Sequence, residues 1–363
     1  MRLVATKSIR AGAKLGKPIL SDNGQILLHK GAVLSERFIN RLNEKGISFV
    51  YVEDERTDDI DAASTLTDKT KSFAVSTIKK EFIHIANELK SKRGFSGDRL
   101  SISFSKVVKA ILSDINHNKE ALSLLSDVYV YDSYIFTHSL NVTVYSLGLA
   151  VKLGFNEKQL MEIGMGALLH DVGKMAISTE ILNKPAALTD DEFTIIKTHA
   201  KAGYDLLRRT PNISLLSAHC ALQHHERLNG TGYPQGLKQN QIHKYAQIIG
   251  IADVFDAVTS QRVYRKPMLP HEALELLYSG SGSQFDPKLI EIFRKTVALY
   301  PVGITVTLSD ARVGIVSKQN HLLGTHPIVR IISEKGKEIE NTYDLDLAEH
   351  MNLTIVAIDS DGS

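Results

Sequence analysis

A chain of 363 residues, 43% apolar and 23% charged, has room for two or three domains and an ordinary globular composition, which excludes disordered, collagenous and membrane-spanning classes. Its 43 Lys and Arg against 41 Asp and Glu leave a net +2, too even for a general nucleic-acid or membrane-surface binder. One cysteine, Cys220, excludes an intramolecular disulfide, and together with an N-terminus that lacks a signal-peptide apolar stretch it leads us to expect a cytoplasmic protein.

In chain order, residues 1–60 read as a small α+β unit. KPILSDNGQILL (17–28) predicts two short strands about the Asn23-Gly24 turn. Ser35 is an expected N-cap, Gly46 an expected helix stop, and SFVYV (48–52) a returning strand. The polar run DERTDDIDAAS (54–64) reads as a solvated linker that leads into a helical connecting region over 61–125. There Val75, Ile78, Phe82, Ile85 and Leu89 form a stripe that suits either packing onto the next domain or a homodimer seam. RGFSGD (93–98) is an expected break, and Val108, Ile111 and Ile115 mark a second helix.

Residues 126–300 predict helix after helix. Thr189 with Glu192 is a capping box, Asn156 with Gln159 a weaker one, and Asp286-Pro287 an N-cap followed by Pro. Breaks are expected at Gly154, Gly173, Pro211 and Gly280. Beyond 300, ITVTLSD, RVGIVSK, PIVRIIS and LTIVAID predict a small antiparallel sheet or barrel over 301–363. The fold class expected is mainly α, with a helical central domain flanked by small β-rich units.

Chemistry concentrates in the helical domain. His138, His170, Asp171, His199, His224, His225 and Asp253 are each embedded in apolar helical sequence. The ordinary reading of one such histidine is a satisfied core residue. Seven together need partners, because each buried unpaired polar group costs about 1–3 kcal/mol. A pair of divalent cations with His nitrogen and Asp oxygen ligands would supply them, and a carboxylate such as Asp171 can bridge two ions. Lys174, one turn past His170, could offer a cation to a phosphate. Cys220 reads as a small buried thiol, and His219 as structural or exposed. Glu226 reads as an acceptor that orients a ligand imidazole.

The motifs HSLNV (138–142), HDVGK (170–174), the lone His199, HHERLNGTGYP (224–234) and ADVFDAVTSQRVYR (252–265) closely resemble the HD-GYP family, a branch of the HD metal-dependent phosphohydrolases. The resemblance covers about residues 126–300 and implies an all-helical HD-type metallohydrolase domain that cleaves cyclic di-GMP. It implies one metal on His138, His170, Asp171 and Asp253, and a second on Asp171, His199, His224 and His225. It places Tyr233, Lys174, Arg262 and Arg265 with the ligand, and groups Asp256 with them as a supporting carboxylate. Some members take a third metal on a Glu four residues before the first histidine; Tyr134 stands there, with Asp132 two residues earlier, so two metals are expected, iron or manganese.

The reaction this implies is in-line attack on phosphorus by a hydroxide held between two metals, with Lys174, Arg262 and Arg265 neutralising the phosphate and either pGpG or GMP as the final product. Two other readings stand beside it: a hydrolase of cyclic GMP-AMP, and a non-catalytic adaptor that binds cyclic di-GMP and signalling proteins. Neither a nucleic-acid nor a membrane partner is expected, since KSKR (90–93) is short and has no interleaved aromatics.

Overall fold

A computed structural model describes residues 1–21, 26–44, 47, 49–60, 65–91, 97–117, 129–130, 134–182, 184, 186–260, 268–320 and 323–359. The first unit contains β1 (Arg2–Ala5), β2 (Ile19–Ser21), β3 (Ile26–Leu28), α1 (Glu36–Glu44) and β4 (Phe49–Val52). β1 pairs antiparallel with β4, and β2 with β3, as the hairpin pattern predicts; the Asn23-Gly24 turn and Gly46 lie outside the described residues. Ser35 caps α1 by accepting the Phe38 N–H. β5 (Tyr129–Val130), which leads into the central helices, lies parallel to β2.

The region expected to be a solvated linker is docked instead. Asp54 accepts from the backbone N–H of Arg56 and opens a short 3-10 turn, Glu55–Thr57. Ile60 is buried with Ile315 and Ile332 of the C-terminal sheet. Arg330 joins the same segment through Asp59 while holding Asp344 at 2.8 Å. The charge run conceals one apolar residue, and that residue decides where the segment goes. Residues 61–64 lie outside the described set.

The helices are α2 (Asp68–Ser91), α3 (Asp98–His117), α4 (Tyr134–Lys152), α5 (Glu157–Leu169), α6 (Thr179–Leu182), α7 (Asp190–Leu207), α8 (Leu215–Gln223), α9 (Lys244–Thr259), α10 (Pro270–Ser279) and α11 (Pro287–Arg294). Val75, Ile78, Phe82 and Ile85 of the α2 stripe face Phe104, Val107, Val108 and Ile111 of α3 in one core that runs from Leu66 to Leu299. The stripe is thus consumed inside the chain, and only Leu89 at its end is exposed. Each such burial is worth about 1.5–3 kcal/mol.

Both capping boxes form in full: Asn156 with Gln159 opens α5, and Thr189 with Glu192 opens α7. Asp286 caps α11 ahead of Pro287. α5 stops at Leu169, before Gly173, which lies in the 3-10 turn Val172–Ala176. α4 packs on α5 and α9, and α8 on α5, α7 and α9. These contacts leave both sides of α4 and α9 covered, which explains their nearly unbroken apolar sequence.

The C-terminal unit is an open antiparallel sheet of β6 (Thr305–Leu308), β7 (Val313–Lys318), β8 (Ile328–Glu334), β9 (Lys337–Asp346) and β10 (Ile355–Asp359), ordered β10-β6-β7-β8-β9. β9 escapes the sequence pattern. It is an edge strand, largely exposed along its length, so its sequence KEIENTYDLD is polar where a covered strand would alternate. The Leu3 N–H donates to Gly303 O at 2.8 Å, and Tyr51 Oη donates to Val302 O at 2.7 Å, joining the first unit to the last. Among the described residues no helix is long and apolar enough to cross a membrane.

Candidate metal centre

Five helices meet at one point, two of them by their C-terminal ends. His138 comes from the second turn of α4 and His199 from α7. His170 and Asp171 follow α5, while His224 and His225 follow α8. Asp253 lies on α9, with Asp256 three residues on, along one face. His138, His170, Asp171, His199 and His224 are each no more than 1% exposed.

Backbone and side-chain acceptors fix the imidazoles. The Nδ1–H groups of His170, His199 and His224 donate to Ala167 O at 2.7 Å, Ile196 O at 2.7 Å and Cys220 O at 3.0 Å. His138 Nδ1 donates to Asp256 Oδ2 at 2.7 Å. A carbonyl can only accept, so the proton sits on Nδ1 in each of those three rings and Nε2 keeps a lone pair. The Nε2 atoms then converge: His138 and His170 stand 3.3 Å apart, as do His199 and His224. Asp171 lies between the pairs. Its Oδ2 is 3.6 Å from His138 and 3.4 Å from His170, and its Oδ1 is 3.4 Å from His199 and 3.9 Å from His224. Asp253 places Oδ1 at 3.1 Å from His138 Nε2 and Oδ2 at 3.7 Å from His225 Nδ1.

This donor set fits metal ions. Two nitrogens bound tetrahedrally at ~2.0–2.1 Å lie about 3.3 Å apart. Asp171 Oδ1 is buried without a hydrogen-bond partner among the described residues, a costly arrangement unless a cation faces it. His138, His170 and Asp171 form one metal-binding group, and Asp171, His199, His224 and His225 another.

Electrostatics agrees. Burial keeps His224, His225 and His199 neutral by lowering their pKa values. Burial opposes the charge on Asp171, but Lys174 and His170 hold its pKa well below the usual carboxylate range. Burial also lowers His138, yet its hydrogen bonds to Asp253 and Asp256 raise it to about 9, so two carboxylates favour positive charge at this point. Lys174 Nζ donates to Asp171 Oδ2 at 2.5 Å.

Backbone approach shapes the centre. A Cβ on Gly173 would lie 2.6 Å from Gly203 N and overlap His199 O, so only glycine lets the His170-Asp171 turn touch α7. Gly232 is equally constrained: its Cβ would lie 2.5 Å from Arg227 N. Tyr233 follows and stacks on His225, with ring centroids 4.6 Å apart and planes at 28°.

Of the residues singled out from the sequence, His138, His170, Asp171, Lys174, His199, His224, His225, Tyr233 and Asp253 are brought together. Asp256 lies behind His138, with Oδ1 accepting from Asn141 Nδ2 and Ser260 Oγ. At 1% exposure it supports the ring and does not face a ligand, which corrects its grouping with the ligand-contacting residues. Glu226 is corrected in its partners: it accepts from no imidazole directly but takes the Gln235 and Leu237 N–H groups at 2.8 and 2.9 Å. Arg262, Arg265 and Asp132 lie outside the described residues, as does the Tyr134 side chain. Cys220 is a buried thiol that donates to Leu216 O, its pKa raised by burial. His219 is half-buried, with Tyr204 beside it at 5.0 Å.

Sequence reasoning missed two supports. Asn141, three residues past His138 in the same motif, holds Asp256 at 2.8 Å. Arg227 donates to His224 O at 3.1 Å and Glu226 O at 2.9 Å, pairing carbonyls released where α8 ends. Spacing could have exposed Asn141, whereas the role of Arg227 depends on how the chain turns after α8.

Residues 111–289 match the HD domain family. The chain is 38% identical over 216 residues to a cyclic di-GMP phosphodiesterase of Pseudomonas aeruginosa, covering 60% of this chain and 52% of that protein. It is 35% identical over 219 residues to a cyclic di-GMP phosphodiesterase response regulator of Xanthomonas campestris pv. campestris, covering 59% and 58%. It is 39% identical over 177 residues to a cyclic di-GMP phosphodiesterase of Thermotoga maritima, covering 48% of each. The chain thus spans about half the length of these curated relatives. Its central helices match the HD domain family and are similar to cyclic di-GMP phosphodiesterases over that stretch.

Proposed function

We propose that this protein is a metal-dependent phosphodiesterase that hydrolyses cyclic di-GMP, with linear pGpG or GMP as the final product. The observation that carries the reading is Asp171, whose two oxygens face two separate histidine pairs. The relatives named above, each a cyclic di-GMP phosphodiesterase, support the substrate class.

In this reading His138, His170, Asp171 and Asp253 would hold one divalent cation, and Asp171, His199, His224 and His225 a second, both iron or manganese. Two bound cations would supply charge neutralisation at phosphorus and a water acidified toward neutrality. Lys174, partly exposed above the centre, carries the ammonium for a non-bridging phosphate oxygen, a role shared by Arg262 and Arg265. Tyr233 borders the space above His225 and His199. Asp256 and Asn141 act on His138, keeping Nε2 turned inward.

The test is anaerobic purification, metal quantitation, and assays with cyclic di-GMP and cyclic GMP-AMP side by side. Wild type should hold two metals per chain and cleave cyclic di-GMP, while Asp171→Ala loses both metal and turnover. Full activity of that variant defeats the reading. Cleavage of cyclic GMP-AMP alone overturns the substrate but keeps the phosphodiesterase. A metal-loaded, inactive protein that binds nucleotide tightly would favour the adaptor.

A further inference from the structure

Among the five imidazoles of the centre, His225 is held differently. The other four each donate Nδ1–H to a fixed oxygen. His225 turns Nδ1 inward toward Asp253, and among the described residues no hydrogen bond holds its other nitrogen. A ligand imidazole without such a partner is free to turn about its side-chain bonds. What lies against this ring is the stacked face of Tyr233, with the His224 ring centroid 4.0 Å away.

The position of Tyr233 is set by the loop that carries it. Glu226 is 4% exposed, and its two carboxylate oxygens each take one backbone N–H, from Gln235 and Leu237. These are charge-assisted bonds on both sides of one short turn. The loop is drawn back onto residues 225–227, where the Tyr233 N–H donates to His225 O at 3.3 Å and Gly232 leaves no room for a side chain. We infer that Glu226 is a positioning residue for His225, acting through the 232–237 turn and the Tyr233 ring, which backs the imidazole where its neighbours have a hydrogen bond. The inference rests on the two-cation reading of the centre and concerns how the second cation is held.

The experiment titrates the full chain, purified metal-free, with Mn2+ and measures bound metal per chain by equilibrium dialysis. Glu226→Gln keeps the side chain's shape but offers one acceptor oxygen to two N–H donors. It should weaken one of the two Mn2+ ions about 10–100-fold, the usual effect of losing a ligand's support. The affected ion should be the one weakened by His225→Ala. Tyr233→Phe retains the ring and should bind as wild type, Tyr233→Leu should weaken the same ion, and Glu226→Gln with Tyr233→Leu should be no worse than either alone. Hydrogen exchange should accelerate at the Gln235 and Leu237 amides in Glu226→Gln, with helical circular dichroism unchanged. Wild-type affinity for both ions in Glu226→Gln overturns the inference, as does Tyr233→Phe behaving like Tyr233→Leu. Should Glu226→Gln fail to fold, the two Tyr233 variants decide alone. Fewer than two Mn2+ on wild type removes the two-cation reading itself, an outcome distinct from the others.

Discussion

Asp256 Oδ2 accepts from His138 Nδ1 at 2.7 Å, and the other Asp256 oxygen is held by Asn141 and Ser260. A carboxylate so anchored both orients the ring and makes Nε2 a better donor. Asp256→Asn keeps the shape and removes the charge. It should lower affinity for the cation on His138 and His170 about 10–100-fold, with the cation on His199 and His224 little affected. Metal titration of the purified variant checks this; equal weakening of both ions would show that Asp256 supports the whole fold rather than one ring.

Gly173→Ala puts a methyl group against α7 beside His199 and Gly203. Forcing such an overlap should cost about 1–3 kcal/mol of stability. Urea denaturation should show a lower midpoint with an unchanged slope, and metal content should fall as His170-Asp171 and His199 separate. An unaltered midpoint would mean that the turn yields freely.

Phe82 is fully buried, with Phe136 edge-on at 6.0 Å and Phe104 at 6.2 Å. Phe82→Ala should cost about 3–5 kcal/mol. Because α2 packs within its own chain, the loss should not vary with protein concentration. A concentration-dependent loss would restore the dimer seam as the stripe's role.

Asp286 caps α11 and pairs with Lys244 at 2.8 Å. Burial raises its pKa, but the bonds from Lys244 and the Lys288 N–H outweigh this and lower it overall. A carboxyl whose folded pKa is depressed contributes stability above its unfolded pKa, about 3.9, and loses it as pH falls through the folded value. Asparagine caps a helix equally well, so Asp286→Asn isolates the charge. Wild type should melt above the variant at pH 6, and the gap should close below about pH 4. A gap that persists at pH 2 would place the effect elsewhere.

The His/Asp cluster was legible because each of its seven residues stands within or directly after strongly apolar helical sequence, where a polar group needs a reason to be. Capping boxes at Asn156 and Thr189 were legible for a similar reason, being local. The partners of Glu226, the Gln235 and Leu237 amides, were not legible because they depend on the closure of a loop that no periodicity encodes. Residues 54–60 look like linker because six of the seven are polar, yet Ile60 is buried on the far sheet. β9 was missed because an edge strand exposed to water lacks the alternation by which strands are recognised.

The docking of the first unit onto the last sheet, through Leu3, Tyr51 and Ile60, makes excision of either flank hazardous. Trimming residues 1–60 would strip Ile315 and Ile332 of their cover and leave the Val302 and Gly303 carbonyls without their donors. A minimal helical fragment cut from the middle therefore inherits raw surfaces at both cuts, and poor solubility there would reflect the surgery rather than the fold of the central helices.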